Sequence, residues 1–254
     1  MSAFLKLPAL LRDASAALLF PTHCRVCGEP VAHLQDGVAC RQCWQTTEGE
    51  RLNFDYCEKC DVSLPRLQQQ AQARRCGVCD DLAFTSARAC GNHFGALRES
   101  VLRLKLEPTI SEYLRQSLIS TFWQLPNARE IELIIPIPLH FSRQQERQFN
   151  QAEIIARALA QATDLPMSVS ALVRSKATER HRAGMDSKAR QQSLQGAFQV
   201  RAPRLIADRT IVVVDDVMTT GSTAHEIAQT LREHQARAVS VLTLTRAVTS
   251  WSFS

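Results

Sequence analysis

Residues 211–223 read IVVVDDVMTTGST and combine a buried-strand pattern with many oxygen-bearing side chains. A run of β-branched aliphatic residues ends at Asp215 and Asp216, and hydroxyl side chains surround Gly221 immediately afterwards. Two adjacent carboxylates repel each other unless a cation or several hydroxyl donors hold them, and a ribose diol with bound magnesium provides both. The aspartate pair therefore predicts a site for a sugar and a metal ion.

The hydroxyl-rich segment leads directly into a helical pattern, STAHEIAQTLREH. The first N–H groups of a helix have no partner within it, so together with nearby hydroxyls they form an anion site. The predicted phosphate cradle consists of Met218, Thr219, Thr220, Gly221, Ser222 and Thr223. Two other phosphate-binding loops are excluded, because the chain contains neither G-x-x-x-x-G-K-[ST] nor G-x-G-x-x-G.

Eight of the nine cysteines form four Cys-x-x-Cys pairs, all before residue 80. This spacing directs both sulfurs toward one tetrahedral ion, and two pairs complete a closed four-thiolate zinc site. We expect two structural zinc ions, held by Cys24, Cys27, Cys40, Cys43, Cys57, Cys60, Cys76 and Cys79. The spacing does not decide between sequential and interleaved pairing of the four Cys-x-x-Cys motifs. The alternatives to two zinc sites are a single degenerate site and redox-active dithiols. We interpret Cys90 as a buried apolar residue.

Length and charge restrict the class of protein. The 254 residues are enough for one α/β core and a small extra module, and the net charge of +5 is compatible with an anionic partner. Residues 1–20 contain Arg12 and Asp13 within an apolar run and have no clear signal-peptide cleavage site, so we expect an amphipathic helix. This helix is expected to pack on the chain's own core, with a peripheral membrane or partner contact as the alternative. With no transmembrane run, we expect a cytoplasmic protein whose thiols bind metal.

Strand and helix patterns alternate after the cysteines. Residues 131–138, 211–216 and 238–245 read as buried strands, while residues 96–106, 109–125, 150–163 and 222–234 read as helices. Strands without alternation of apolar and polar residues are typical of a parallel sheet covered on both faces. We therefore predict a helix at 1–20, a double zinc ribbon at 21–89 and an α/β domain at 90–254. A long basic connection spans residues 174–192.

The segment VVVDDVMTTGST resembles the phosphoribosyl-pyrophosphate motif of type I phosphoribosyltransferases. In that family the two acids contact the ribose hydroxyls, and the loop binds the 5′-phosphate. Residues 136–160 and 189–200, behind a cysteine-rich N-terminus, are similar to the ComF family, which includes competence proteins and GntX-type proteins. The resemblance covers almost the whole chain. It implies a twisted, mainly parallel sheet of the type I phosphoribosyltransferase kind, behind a double zinc ribbon.

The same resemblance implies further site residues. The pyrophosphate-facing loop corresponds to Ile135, Pro136, Ile137 and Pro138, with Arg143 and Arg147 as basic contacts. Asn150 and Gln151 match a family element that either touches the ligand or caps the following helix. The chain departs from the family pattern at Gln148, Arg182 and Ser193, around the basic connection.

The function that follows is binding of phosphoribosyl pyrophosphate, or a related ribose phosphate, with Mg²⁺. By resemblance, the protein acts in DNA uptake during natural transformation or in DNA utilisation, with single-stranded DNA and a DNA-translocating helicase as expected partners. The alternative is an active phosphoribosyltransferase with an unidentified base or amine acceptor and no DNA role. The sequence leaves both turnover and the catalytic residues open.

Overall fold

The structure is a computed structural model that describes residues 22–64, 74–139, 149–176 and 194–247. The predicted helix at 1–20 lies outside these residues. The described α-helices are α1 (Arg41–Arg51), α2 (Gly95–Leu104), α3 (Glu112–Phe122), α4 (Gln151–Thr163), α5 (Pro203–Ile206) and α6 (Ser222–Glu233). The described strands are β1 (Asp55–Tyr56), β2 (Ser63–Leu64), β3 (Ser86–Asn92), β4 (Leu133–Pro136), β5 (Leu172–Arg174), β6 (Phe198–Val200), β7 (Thr210–Met218) and β8 (Ala238–Arg246).

Four strands form one parallel sheet in the order β3-β8-β7-β4. The two central strands have nine residues each, and most of those residues are buried. Two antiparallel hairpins, β1-β2 and β5-β6, lie outside this sheet. The α/β fold with a parallel sheet flanked by helices is confirmed, and β7 places the two aspartates at its centre.

The two faces of the sheet have separate cores. Side chains alternate along a strand, so β7 contributes Val213 to one core and Val212 and Val214 to the other. We call these the α6 face and the α4 face after the helix that packs on each. The α6 face includes Cys57, Cys60 and Cys79, whereas Cys24 belongs to the α4 face together with residues of α2, α3 and α4. The two cysteine clusters therefore pack on opposite faces of the same sheet.

Strand β3 was not among the predicted strands. Its sequence, SARACGN, contains small and polar residues and lacks the β-branched run that marks β7. In the structure it pairs with β8 from Ser86 to Asn92. The predicted domain boundary at 89/90 falls inside this strand, and the division of the chain at that point stays a prediction.

A partly buried ion pair joins the cysteine-rich region to β3. Arg51, the last residue of α1, donates to both carboxylate oxygens of Asp61 at 2.8 and 3.0 Å and to the Ala89 carbonyl at 3.2 Å. Asp61 also accepts the Ala89 N–H at 2.9 Å. Burial raises the pKa of Asp61, and the charge of Arg51 opposes that rise. Because Asp61 is buried, removing either partner leaves an uncompensated charge or donor.

Candidate functional site

Asp215 and Asp216 lie at the carboxyl end of β7, in the middle of the parallel sheet. Consecutive strand residues face opposite sides, so the two side chains leave the strand in different directions. The Asp216 N–H donates to Asp215 Oδ1 at 2.9 Å. On the neighbouring strand, Thr243 lies in register with Asp215. This is the edge at which open α/β sheets bind ligands.

A small cavity of about 40 Å³ lies beside Asp215. It is lined by Ile137, Asp215, Val217, Met218, Thr219, Gly221, Ser222, Thr223, Ala224, Val241 and Thr243. The structure thus brings one aspartate together with most of the hydroxyl-rich loop, whereas Asp216 and Thr220 are not part of the cavity wall. A single water molecule needs about 10–15 Å³ of such space. Only the terminal group of a ligand fits inside, and the remainder would lie over the sheet edge.

The loop between β7 and α6 turns at Gly221, whose φ of +86° is in the left-handed region. A Cβ at this position would lie 2.9 Å from Met218 Cε and 3.2 Å from Leu82 Cδ1, so both the backbone and the available space favour glycine. Thr220 Oγ1 lies 2.8 Å from Ser222 Oγ and accepts the Ser222 N–H at 3.3 Å. Gly221 is the N-cap of α6 and has no side chain to offer. The helix therefore presents N–H groups of its first turn to an anion.

Burial is the largest influence on Asp215 and, together with the charge of Asp216, raises the pKa of its carboxyl well above the ordinary value. The Asp216 N–H and the positive charge of Arg174 act in the opposite direction. Arg174 ends β5, and its guanidinium lies 5.5 Å from the centroid of the Phe198 ring. A cation that binds beside Asp215 displaces the proton, so cation binding at this carboxyl depends on pH.

Sequence reasoning missed polar residues of β3 and β8 at the same edge. His93 follows β3, and its Nδ1 lies 2.9 Å from Thr245 Oγ1. Burial lowers the pKa of His93, nearby basic side chains lower it further, and Asp216 opposes them. Thr243 and Thr245 alternate with leucines near the end of β8. These polar residues at alternate positions of an otherwise apolar strand were the sequence pattern that could have indicated that β8 contributes to the site.

The predicted pyrophosphate-facing segment, residues 135–138, lies at the end of the adjacent strand. Ile137 lines the cavity, whereas the two residues before it are buried in β4 and the proline after it is partly exposed. Asn150 Nδ2 donates to the Ile137 carbonyl at 3.0 Å, and its Oδ1 accepts the Ala152 N–H at 3.1 Å. Asn150 therefore caps α4 and fixes its start against the end of β4, while Gln151 is buried in the first turn.

The basic residues expected around the diphosphate are described only in part. Arg143 and Arg147 lie outside the described residues, as do Gln148, Arg182 and Ser193. Of the basic connection, Arg174 and Lys176 are described, and Lys176 Nζ donates to the Gln195 carbonyl at 3.3 Å. The roles assigned to the other basic side chains stay predictions.

The geometry of both cysteine clusters fits a metal ion. The sulfur atoms of Cys24, Cys27, Cys40 and Cys43 lie within 4.8 Å of one another, and so do those of Cys57, Cys60, Cys76 and Cys79. Individual sulfur–sulfur distances are 3.8 Å for Cys27–Cys40, 3.5 Å for Cys57–Cys79 and 3.6 Å for Cys60–Cys76. Zinc–sulfur bonds of about 2.3 Å give a tetrahedron with edges of about 3.8 Å. The pairs combine in sequence order, which excludes the interleaved alternative.

Proton affinity differs strongly among the thiols of the second cluster, formed by the four cysteines from Cys57 to Cys79. The pKa of Cys57 is lowered to about 4, mainly by the hydrogen bond with Cys60 and also by backbone N–H groups, against the effect of burial. The same hydrogen bond, followed by burial, raises the pKa of Cys60. Burial is the main cause that raises the pKa of Cys79 to about 12. Zinc binds thiolates, so loading this cluster displaces the remaining protons and weakens in acid.

A much larger cavity, about 650 Å³, lies elsewhere, between β6 and the outer face of α6. Its wall includes Glu226 and Glu233. Glu226 accepts the Gly196 N–H at 2.6 Å, which ties α6 to the β5-β6 hairpin. The small cavity beside Asp215 is the better phosphate site despite its size, because the residues that begin α6 line it and their first N–H groups favour an anion.

Comparison with known families gives the class of the second half of the chain. Residues 149–253 match the family model described as Phosphoribosyl transferase domain. This segment contains β7, the hydroxyl-rich loop and β8, which form most of the candidate site. With the parallel sheet, the match defines a phosphoribosyltransferase-type domain.

The chain belongs to the ComF family. It is 30% identical over 203 residues to Competence protein F of Haemophilus influenzae, an alignment that covers 77% of this chain and 86% of the relative. It is also 34% identical over 129 residues to DNA utilization protein YhgH of Escherichia coli strain K12, covering 51% of this chain and about half of that relative, 53%.

Among solved structures, the glutamine phosphoribosylpyrophosphate amidotransferase of B. subtilis, complexed with ADP and GMP, matches with a TM-score of 0.35 and 20% identity. The match covers 53% of this chain and 28% of that chain. None of the helices in the described segments has the length and apolarity needed to cross a membrane.

Proposed function

We propose that the chain binds phosphoribosyl pyrophosphate, or a related ribose phosphate, with Mg²⁺ at the carboxyl edge of β7. The observation that carries the proposal is that Asp215 lines one cavity at this edge together with Thr219, Gly221, Ser222 and Thr223. In the proposed complex, the 5′-phosphate enters the cavity and accepts hydrogen bonds from the first turn of α6. The ribose hydroxyls lie over the sheet edge, within reach of the two aspartates.

The remaining predicted residues complete the proposed complex. The segment at 135–138 faces the pyrophosphate, and Arg143 and Arg147 hold its oxygens with their guanidinium groups. Bound Mg²⁺ supplies positive charge that offsets the charge of the pyrophosphate. The aspartates orient the ribose, and Arg174 moderates the proton affinity of Asp215. These residues serve binding in the same way whether or not a pentosyl group is transferred.

Isothermal titration calorimetry tests this binding. Wild type is titrated with phosphoribosyl pyrophosphate in Mg²⁺ buffer beside the variant Asp215→Ala/Asp216→Ala. Asp208→Ala is the matched control, because it removes a carboxylate just before the opposite end of β7. We expect binding to wild type and the control and none to the double variant. No heat for wild type, or equal binding by all three proteins, would contradict the proposal.

We also propose a role in DNA uptake or DNA utilisation, which the names of the two relatives support. Arg25 and Arg41 are exposed near the first cluster, formed by the four cysteines from Cys24 to Cys43, where phosphates of single-stranded DNA can reach them. Arg74 and Arg75 pair with Asp55 and Asp80, which reduces their contribution. A DNA-translocating helicase is the proposed protein partner.

Fluorescence anisotropy with labelled single-stranded DNA at several salt concentrations measures the DNA interaction. We expect affinity to fall as salt rises and to be weaker for Arg25→Ala/Arg41→Ala, since phosphate contacts release counterions. Absence of binding at low salt removes DNA as a direct ligand. A pyrophosphate-release assay in the presence of candidate acceptors distinguishes binding from pentosyl transfer.

A further inference from the structure

The segment that follows the second cysteine cluster packs directly under the hydroxyl-rich loop. Leu82 and Phe84 approach the loop so closely that a Cβ on Gly221 would lie 3.2 Å from Leu82 Cδ1 and 3.6 Å from Phe84 Cε1. Between them, the Ala83 N–H donates to His225 Nδ1 in the first turn of α6 at 3.0 Å. The loop and the start of α6 therefore rest on residues that the cluster positions.

The cysteines and the loop also share one core. On the α6 face, Cys57, Cys60 and Cys79 belong to the same group of contacting buried residues as Met218 and Ala224. Protein interiors are close-packed, so a displacement of the cluster is transmitted to the side chains that touch it. The first cluster packs in the core on the α4 face, and among the described residues its link toward the loop is indirect, through the Arg51–Asp61 ion pair.

Arg246 provides a polar link between the second cluster and β7. It is the last residue of β8 and is only 4% exposed. Its Nε donates to the Cys60 carbonyl at 3.2 Å, and its Nη1 donates to the Met218 carbonyl at 2.9 Å. One planar guanidinium thus joins a cysteine of the cluster to the residue at which β7 ends and the loop begins.

The charge of Arg246 gives the link a dependence on metal. Both of these acceptors are neutral carbonyls, and a buried guanidinium is costly in free energy without an opposite charge nearby. A zinc ion with four thiolate ligands keeps a net negative charge, so the loaded cluster supplies the opposite charge next to Cys60. Metal in the second cluster therefore stabilises Arg246 in the position from which it holds the Met218 carbonyl.

We propose that Arg246 is a positioning residue through which the metal-loaded second cluster holds residues 218–224 in the conformation that receives a phosphate. The inference rests on the proposed function, because it assigns the phosphate of a ribose phosphate to that loop. Metal and ligand then stabilise each other's binding, since coupling between two sites is reciprocal. The first cluster serves the stability of the opposite face and does not affect the loop.

Hydrogen–deuterium exchange on the zinc-loaded full chain tests the link without any ligand. We expect Arg246→Met to raise amide exchange in peptides covering 218–224 roughly tenfold or more, as for loss of a hydrogen bond from a charged donor. Arg246→Lys keeps the positive charge but loses the two separate donor nitrogens of the guanidinium, so exchange at 218–224 should lie between that of wild type and that of Arg246→Met. Peptides from α3 on the opposite face are the internal control. Unchanged exchange at 218–224 in Arg246→Met overturns the inference.

Matched cysteine variants separate the two clusters. Cys76→Ser and Cys27→Ser each remove one partly or fully exposed ligand, and native mass spectrometry counts the zinc that remains. We expect Cys76→Ser to raise exchange at 218–224 and to weaken binding of phosphoribosyl pyrophosphate about tenfold or more, while Cys27→Ser does neither. An equal effect of both variants overturns the inference, because it indicates general destabilisation. If Cys76→Ser does not fold, the exchange measured for Arg246→Met and Arg246→Lys tests the inference instead.

The two proposals fail in distinguishable ways. If wild type gives no heat with phosphoribosyl pyrophosphate but exchange at 218–224 responds to both Arg246→Met and Cys76→Ser, the proposed function fails and the metal-dependent loop stands. If wild type binds the ligand and neither exchange nor affinity responds to Arg246→Met, the proposed function stands and the positioning role of Arg246 is refuted.

Discussion

Replacing Gly221 with alanine perturbs the candidate phosphate loop at its turning point. A left-handed conformation such as φ +86° costs a non-glycine residue about 1–2 kcal/mol. The new methyl group also meets Met218 Cε at 2.9 Å and Leu82 Cδ1 at 3.2 Å. The methionine end is flexible, so we set this overpacking at about 1 kcal/mol. The sum of about 2–3 kcal/mol lowers the melting temperature of a chain of this size by about 4–12 °C.

Two other glycines provide controls in the same thermal unfolding experiment, followed by circular dichroism. Gly28 has a φ of +84° and open space around its Cβ position, so Gly28→Ala carries only the backbone cost of about 1–2 kcal/mol. Gly49 lies within α1 with nothing near its Cβ position, so Gly49→Ala should stabilise by about 0.5–1 kcal/mol. The excess of Gly221→Ala over Gly28→Ala measures the packing of the loop.

Binding completes the test of the loop. Alanine at 221 shifts the first N–H groups of α6, so we expect the affinity for phosphoribosyl pyrophosphate to fall at least about tenfold, which corresponds to about 1.4 kcal/mol. Gly28→Ala should bind as wild type does. A melting temperature for Gly221→Ala equal to or above that of wild type, together with unchanged affinity, would refute the loop geometry and its proposed role.

Three further predictions follow from the charged and thiol groups. Because burial raises the pKa of Asp215, its carboxyl stays protonated to higher pH than usual. The affinity for Mg²⁺ with phosphoribosyl pyrophosphate should therefore rise with pH through that raised pKa. Calorimetry from mildly acidic to mildly alkaline buffer checks this prediction, and an affinity that does not change with pH contradicts it. Asp61→Ala leaves the partly buried Arg51 unpaired and should cost about 3–5 kcal/mol in denaturant unfolding. Asp208→Ala removes an exposed pair with Arg237 from a residue with the same left-handed backbone, φ 56° against 57° at Asp61, so it should cost at least about 2 kcal/mol less; equal losses refute this account of the Arg51–Asp61 pair. Acidification should release two zinc ions per chain, measured with a metal indicator, since protons compete for the thiolates; retention of zinc in acid contradicts this assignment.

Local sequence patterns predicted the strand and the helix that flank the candidate site. The β-branched run and the helical pattern after Gly221 are specified by adjacent residues, so β7 and α6 could be assigned before any tertiary contact was known. The two Cys-x-x-Cys pairs of each cluster are likewise local, and the structure confirms their grouping. The sequence did not predict β3, because its small and polar residues acquire a strand conformation only by pairing with β8.

Tertiary packing determines the features that sequence reasoning missed. Nothing in the cysteine spacing indicates that the two clusters pack on opposite faces of the sheet, because that depends on the direction in which the chain passes around the edge strand. Arg246 looks like an ordinary strand-terminal cation until its contacts with Cys60 and Met218 are known. His93 became a site neighbour only when β3 was placed beside β8.

The most direct test of the account is a crystal structure of the protein soaked with phosphoribosyl pyrophosphate and Mg²⁺. The account predicts that the 5′-phosphate accepts hydrogen bonds from N–H groups in the first turn of α6, including that of Thr223, and that the ribose hydroxyls approach Asp215. Density for the ligand in the large cavity beside Glu226 and Glu233, or a phosphate that does not touch residues 219–223, would contradict it.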